Sequence, residues 1–133
     1  MKRASGLILV LGLIGLDQLI KYLAVDYTLF SVFINRGISF SLWPSGLWPA
    51  VTVVLILLMV FVFRRQNSLF LALFIAGSIS NVIDRLLRGG VVDYVDIKIG
   101  PVFNLADLYL IMSILLLIYY YWSKPQYAAS SSV

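Results

Sequence analysis

Asp17 and Lys21 lie four residues apart, acid before base, a spacing that puts both on one face of a helix. Asn81, Asp84 and Arg85 follow the same logic at i, i+3 and i+4, and Asn104 and Asp107 are three apart. Asp93 lies between these last two groups, in a connecting stretch short enough to fold back toward Asp107. The chain has no Cys and no His, so thiolate or imidazole catalysis, disulfides and Cys- or His-ligated metals are excluded. Three chemistries remain for a cleft of Asp, Asn, Lys and Arg. One is a Ser/Lys dyad of Lys21 with Ser39 or Ser41. Another is hydrolysis assisted by Mg, Ca or Mn on carboxylates. The last is a pair of carboxylates that share one proton and activate a water. The residues alone leave all three open.

Each group also has a plain structural explanation. Asp17 and Lys21 can neutralise one another at a helix end. Asn104 is a good N-cap and Asp107 stands where a capping box places its acid. Asp84 with Arg85 can be a buried ion pair, which adds little stability by itself. Gly37, Gly89 and Gly90 read as turn glycines.

The elements that must position these groups are set by an apolar chain. Of 133 residues, 62% are hydrophobic and only 12% charged, with a mean hydropathy of +1.00. A soluble domain carries about a quarter charged residues. An integral membrane protein follows. All six acidic residues are Asp (Asp17, Asp26, Asp84, Asp93, Asp96 and Asp107), each in or beside an apolar run. An ionisable residue there is read as functional.

Four runs, 4–24, 47–63, 68–87 and 103–122, approach the roughly 20 residues that a helix needs to cross a bilayer. The second is short and calls for tilt or local thinning. The first resembles a secretory signal, but Asp17, Gln18 and Lys21 interrupt it and no small-x-small site follows, so it is read as a retained span. Lys2, Arg3, Arg64, Arg65 and Lys124 then share one side with both termini, which the positive-inside rule makes cytoplasmic. Lys21, Arg36, Arg85, Arg88, Lys98 and every Asp fall on the opposite side, which points to an outward-facing site. Net charge is +4, but the basic residues flank apolar runs and form no stripe, so nucleic-acid binding is not expected.

Residues 26–46 mix β-branched, aromatic and turn-forming residues, which predicts a short strand or hairpin over the bundle; 89–102 alternate similarly. Tyr27, Trp43, Trp48 and Tyr94 suit one membrane interface and Tyr119, Tyr120, Tyr121 and Trp122 the other. Residues 1–124 are read as one domain and 125–133 as a disordered cytoplasmic tail.

Four blocks, taken in order, resemble the prokaryotic lipoprotein signal peptidase family, signal peptidase II. They are D-Q-x-x-K at Asp17, Gln18 and Lys21, and N-x-G-x-S-F from Asn35. S-N-x-x-D-R at Asn81, Asp84 and Arg85 runs on into G-x-V-V-D-Y-x-D with Asp93 and Asp96. F-N-x-A-D at Asn104 and Asp107 is the fourth. The resemblance runs from about residue 7 to 118. It departs at Ser80, where the family mostly has Gly, at Tyr94, where Phe is commoner, and in shortened stretches between Lys21 and Asn35 and between Asp96 and Asn104.

The resemblance implies an all-α membrane protein of four transmembrane helices with a small extracytoplasmic β-cradle. It implies an aspartic endopeptidase of the inner membrane, active near the outer leaflet, that removes signal peptides from diacylglyceryl-modified prolipoproteins. Asp93 and Asp107 would be the catalytic pair. Asp17, Lys21, Asn35, Asn81, Arg85 and Asn104 would line the site, Gly37 would face substrate from the loop, and Asp84 would support it. No cofactor or metal is implied; membrane lipids and globomycin-type inhibitors are expected partners, and the chain is expected to be a monomer. The same buried carboxylates would also suit a small ion-coupled transporter, although the inner halves of the spans carry almost no polar residues.

Overall fold

The computed structural model describes residues 3–27, 31–36, 53–54, 56–58, 61 and 69–123. Along the chain these form α1 (Arg3–Asp26), β1 (Phe33–Asn35), α2 (Leu69–Arg88), β2 (Val91–Asp93) and α3 (Leu105–Ser123). Most of 47–63 lies outside the described residues; 53–54, 56–58 and 61 are helical. The tail beyond Ser123, Trp43, Trp48 and Gly37 also lie outside them.

The protein is mostly helical. Among the described residues, Ala4–Asp26 and Leu69–Arg88 are long and apolar enough to cross a membrane, and Leu105–Tyr120 is a shorter apolar helix. Leu7, Ile8, Leu11, Leu115 and Ile118 point outward, whereas Asp17, Lys21, Ser80, Asp84 and Asn104 are fully buried. This inverted distribution suits hydrocarbon as the solvent, since a lipid-facing surface must be apolar and polar side chains are sheltered inside the bundle.

Helix α2 is the centre of the assembly, packing most extensively on α3 and also on α1. Small residues make the close approach to α3 possible. A Cβ added at Gly77 would lie 2.6 Å from the carbonyl oxygen of Ala106 and 3.0 Å from Leu110 Cγ.

Helix α2 ends where Gly89 takes φ +72° and its N–H returns to the carbonyl of Arg85 at 3.2 Å, the left-handed stop that glycine adopts without steric penalty. The chain then runs straight into β2. Strands β1 and β2 pair antiparallel, with Phe33 opposite Asp93, Ile34 opposite Val92 and Asn35 opposite Val91. The strand expected within 26–46 therefore pairs with the β-branched run at 91–93. Beyond β2 the backbone of Val95 pairs with Phe103, closing a short loop before α3. Ala24, Val92 and Tyr94 form a small core beneath this sheet, flanked by Ile20, Val32, Val95 and Leu105.

Candidate active site

Each site element ends in a way that its own sequence explains. Asn104 caps α3: its side-chain oxygen accepts the N–H of Asp107 at 3.0 Å, and its N–H donates to Asp107 Oδ2 at 3.2 Å. That is a reciprocal capping box with Asp in the acidic position. The Tyr94 hydroxyl accepts the N–H of Leu105 at 3.2 Å, satisfying another free donor of the first turn.

The cap does not exhaust Asn104. Its side-chain amide donates to Asp93 Oδ1 at 2.6 Å, so one fully buried residue touches both carboxylates or their backbones. Asp93 Oδ2 accepts the Asn35 amide at 3.1 Å, which β1 delivers across the sheet. Asp107 Oδ1 accepts the Asn81 amide from α2 at 2.9 Å. Every oxygen of the two carboxylates thus has a fixed donor, and three of the four donors are Asn side chains.

Both carboxylates open onto one cavity of about 260 Å³, lined also by Asn35, Asn81, Arg85 and Val91. Leu110, Ile111 and Ile114 of α3 extend the lining as an apolar wall. Burial pushes the Asp93 carboxyl up to about 6, Asp107 adds to the rise, and the Asn35 and Asn104 amides oppose it. A carboxyl in that range can hold or release a proton near neutral pH.

A charged layer lies behind the cavity. Lys21 is fully buried, and its ammonium reaches Asp17 Oδ2 at 2.8 Å, Asp84 Oδ2 at 2.7 Å and Asn81 Oδ1 at 3.0 Å. All three of its protons are directed at acceptors, so it is arranged as a structural cation. The serines of the alternative Ser/Lys dyad, Ser39 and Ser41, lie outside the described residues. Asp17 also accepts the Ser80 hydroxyl at 2.5 Å and the N–H of Ala106 at 2.9 Å.

Asp84 departs from expectation in its partners. Its ion pairs run to Lys21 and to Arg88 Nη1, the latter at 2.5 Å, while the adjacent Arg85 lines the cavity beside Asp93 and Asp107. Helix geometry explains this: position i+4 shares the face of Asp84, and i+1 is turned about 100° away. Arg88, Gln18 and Ser80 are additions to the expected set. Gln18 Nε2 lies within reach of Ser80 Oγ, the Ser80 carbonyl and Asp84 Oδ1 at 3.0, 3.1 and 3.0 Å, and its Oε1 accepts from Arg88 at 3.1 Å. The i, i+4 spacing from Asp84 was a readable signal for Arg88; nothing in the sequence marked Ser80 as a donor. Asp26 and Asp96 stand apart from this network: Asp26 closes α1, and Asp96 pairs with the exposed Lys98 at 2.6 Å. Among the described residues no three His, Cys, Asp or Glu side chains gather in a group that could hold a metal ion.

Comparison with known proteins bears on the whole chain. The family model described as Signal peptidase (SPase) II matches residues 9–123. A lipoprotein signal peptidase of Halothermothrix orenii is 36% identical, the alignment covering 90% of this chain and 96% of that protein. One from Caldanaerobacter subterraneus subsp. tengcongensis is 31% identical over 85% of this chain and 92% of its own length. In fold, the chain is similar to a bacterial membrane enzyme solved in meso at 2.3 Å resolution, with TM-score 0.84 and 21% identity over 100% of this chain and 96% of that one. A second such structure, at 1.9 Å resolution, gives a TM-score of 0.77 at 22% identity, covering 94% and 97%. The chain belongs to the signal peptidase II family.

Proposed function

We propose that this protein is an intramembrane aspartic endopeptidase that removes signal peptides from diacylglyceryl-modified prolipoproteins, cutting on the N-terminal side of the lipidated cysteine. Membership of a signal peptidase family supports proteolysis and prolipoproteins as the substrate class. The observation that carries the mechanism is the pairing of Asp93 and Asp107 on one cavity, each carboxylate oxygen held by an amide donor.

In this mechanism a water sits between the two carboxyl groups. One carboxylate takes its proton as the oxygen attacks the scissile carbonyl, and the other, protonated, donates to the developing oxyanion. Collapse of the tetrahedral species passes the proton to the leaving amine, and no acyl-enzyme forms. Charge balance favours one proton on the pair. Asp17, Asp84, Asp93 and Asp107 face Lys21, Arg85 and Arg88, so four carboxylates meet three cations. A single bound proton brings the cluster to neutrality, the condition that burial favours. Asn104, Asn81, Asn35 and Arg85 orient the pair. The wall of Leu110, Ile111 and Ile114 offers an apolar surface to a substrate arriving from lipid.

The reading includes four spans, both termini in the cytoplasm, a single domain over 1–124 with a cytoplasmic tail, and a site near the outer leaflet of the inner membrane. It takes the active unit as a monomer, without cofactor, inhibited by globomycin-type compounds. The test is a gel-shift assay on a lipid-modified precursor, with and without globomycin. Asp93→Asn and Asp107→Asn should each lose at least about 100-fold in rate. Cleavage at the wild-type rate by either variant would overturn the mechanism.

A further inference from the structure

Behind the two cavity carboxylates, a second pair of aspartates holds the peptide units that carry them. Asp17 Oδ1 accepts the N–H of Ala106, the residue before Asp107, at 2.9 Å. Asp84 Oδ2 accepts the N–H of Val92, the residue before Asp93, at 3.2 Å. The ammonium of Lys21 bonds to both supporting carboxylates, at 2.8 and 2.7 Å. One cation therefore spans two handles, each attached to the backbone one residue before a site aspartate. The two backbone segments that carry Asp93 and Asp107 are thereby tied to one another through Lys21.

On the Asp84 side the handle is completed by Arg88. Its Nη1 reaches Asp84 Oδ1 at 2.5 Å and Gln18 Oε1 at 3.1 Å, while Gln18 Nε2 meets the same Oδ1 at 3.0 Å. The carboxylate is thus fixed from both ends: Arg88 and Gln18 on one oxygen, Lys21 and the Val92 amide on the other. Without the guanidinium, the single charge of Lys21 would serve two buried carboxylates. Asp84 could then turn toward the ammonium and release the Val92 N–H. The side chain of Arg88 is 27% exposed, so it can be altered at lower cost than the fully buried Lys21.

We propose that Arg88 is a positioning residue for catalysis: by holding Oδ1 of Asp84 it aims Oδ2 at the Val92 amide and so sets Asp93 against Asp107. This rests on the reading of Asp93 and Asp107 as the catalytic pair. A displacement of about 1 Å between two acid/base groups is enough to slow the reaction, and loss of an outer support commonly costs about ten- to a hundredfold. Arg88 is not among the residues that line the cavity, so substrate affinity should not change with it.

The experiment is steady-state cleavage of a lipid-modified precursor peptide in detergent micelles by wild type, Arg88→Met, Arg88→Gln and Arg88→Lys, with Tm measured for each. Arg88→Met should lower kcat about tenfold with KM within about twofold. Arg88→Lys, which keeps a cation for Asp84, should recover most of that loss. If Arg88→Met does not fold, Arg88→Gln carries the test, with the same split between kcat and KM expected. Wild-type kcat in every variant that folds would overturn the proposal. So would parallel loss of kcat and Tm that Arg88→Lys fails to restore, since that is the behaviour of a merely structural ion pair. Asp93→Asn, run alongside, separates the two ideas. If it is inactive while Arg88→Met is fully active, only the role of Arg88 falls; if it cleaves, the catalytic pair itself falls.

Discussion

Asn104 and Asp107 bond to each other twice, side chain to backbone in both directions, at 3.0 and 3.2 Å. The same Asn104 also donates its side-chain amide to Asp93 at 2.6 Å. The start of α3 and the orientation of the opposite carboxyl group thus depend on a single side chain.

These two duties can be separated by substitution. Serine is a good N-cap but is too short to reach Asp93, whereas alanine supplies neither interaction. Asn104→Ser should keep Tm close to wild type while cleavage of a lipid-modified precursor falls about tenfold or more. Asn104→Ala should lose a further ~1 kcal/mol of stability. Cleavage at the wild-type rate by Asn104→Ser would mean that the cap is the whole role of Asn104.

The pH dependence follows from the Asp93 carboxyl, raised to about 6 mainly by burial. On the proposed mechanism the pair works with one proton and loses activity as pH rises far enough to remove it, so kcat/KM should decline on its alkaline side from about that value. The Asn35 amide favours the charged form of Asp93 and so lowers this pKa. In Asn35→Ala that support is gone, Asp93 holds its proton more tightly, and the alkaline limb should move to higher pH. A shift to lower pH, measured as kcat/KM against pH, would contradict the assignment.

Lys21 is the cation whose removal should do the most damage. Lys21→Met leaves Asp17 and Asp84 buried with one shared partner gone and frees the Asn81 oxygen. Breaking a buried ion pair from one side costs about 3–5 kcal/mol. Thermal unfolding in detergent should show a large fall in Tm. Replacing the exposed Lys98, which pairs with Asp96 in the loop, should leave Tm nearly unchanged.

The contact between α2 and α3 at Gly77 is equally open to test. An added Cβ would meet the Ala106 carbonyl at 2.6 Å, a backbone atom that cannot swing aside. Gly77→Ala should force the helices apart at a cost of about 1–3 kcal/mol. Because Ala106 precedes Asp107, cleavage should fall as well. Gly12, with nothing within 4 Å of its added Cβ, is the control; Gly12→Ala should be neutral or slightly stabilising.

Much of this architecture could be read from the chain, and the exceptions have physical reasons. The apolar runs at 4–24, 68–87 and 103–122 agree with helices α1, α2 and α3 to within a few residues, because a long uninterrupted apolar run leaves helix as the favoured element. The contact between Asp17 and Lys21 followed from helix periodicity alone. The pairing of 33–35 with 91–93 was not legible, since a three-residue strand carries no mark of its partner and is placed by the packing of Ala24, Val92 and Tyr94. The pairing of Asp84 with Arg88 instead of Arg85 was open to the same periodicity, since i+4 shares the face of Asp84 and i+1 does not. Most of the run at 47–63 and Gly37 lie outside the described residues.

Each of the two most polar helices brings its own counter-ion: Asp17 has Lys21 one turn along α1, and Asp84 has Arg88 one turn along α2. A helix emerging alone into the bilayer therefore carries its carboxylate already neutralised, before any neighbour has arrived. The bond from Lys21 to Asp84 can form only when the two helices meet. The pairs within each helix persist in the finished fold, so the Lys21–Asp84 bond adds to them and replaces neither. A single residue moved off the four-residue spacing would obstruct membrane entry before it affected the mature site.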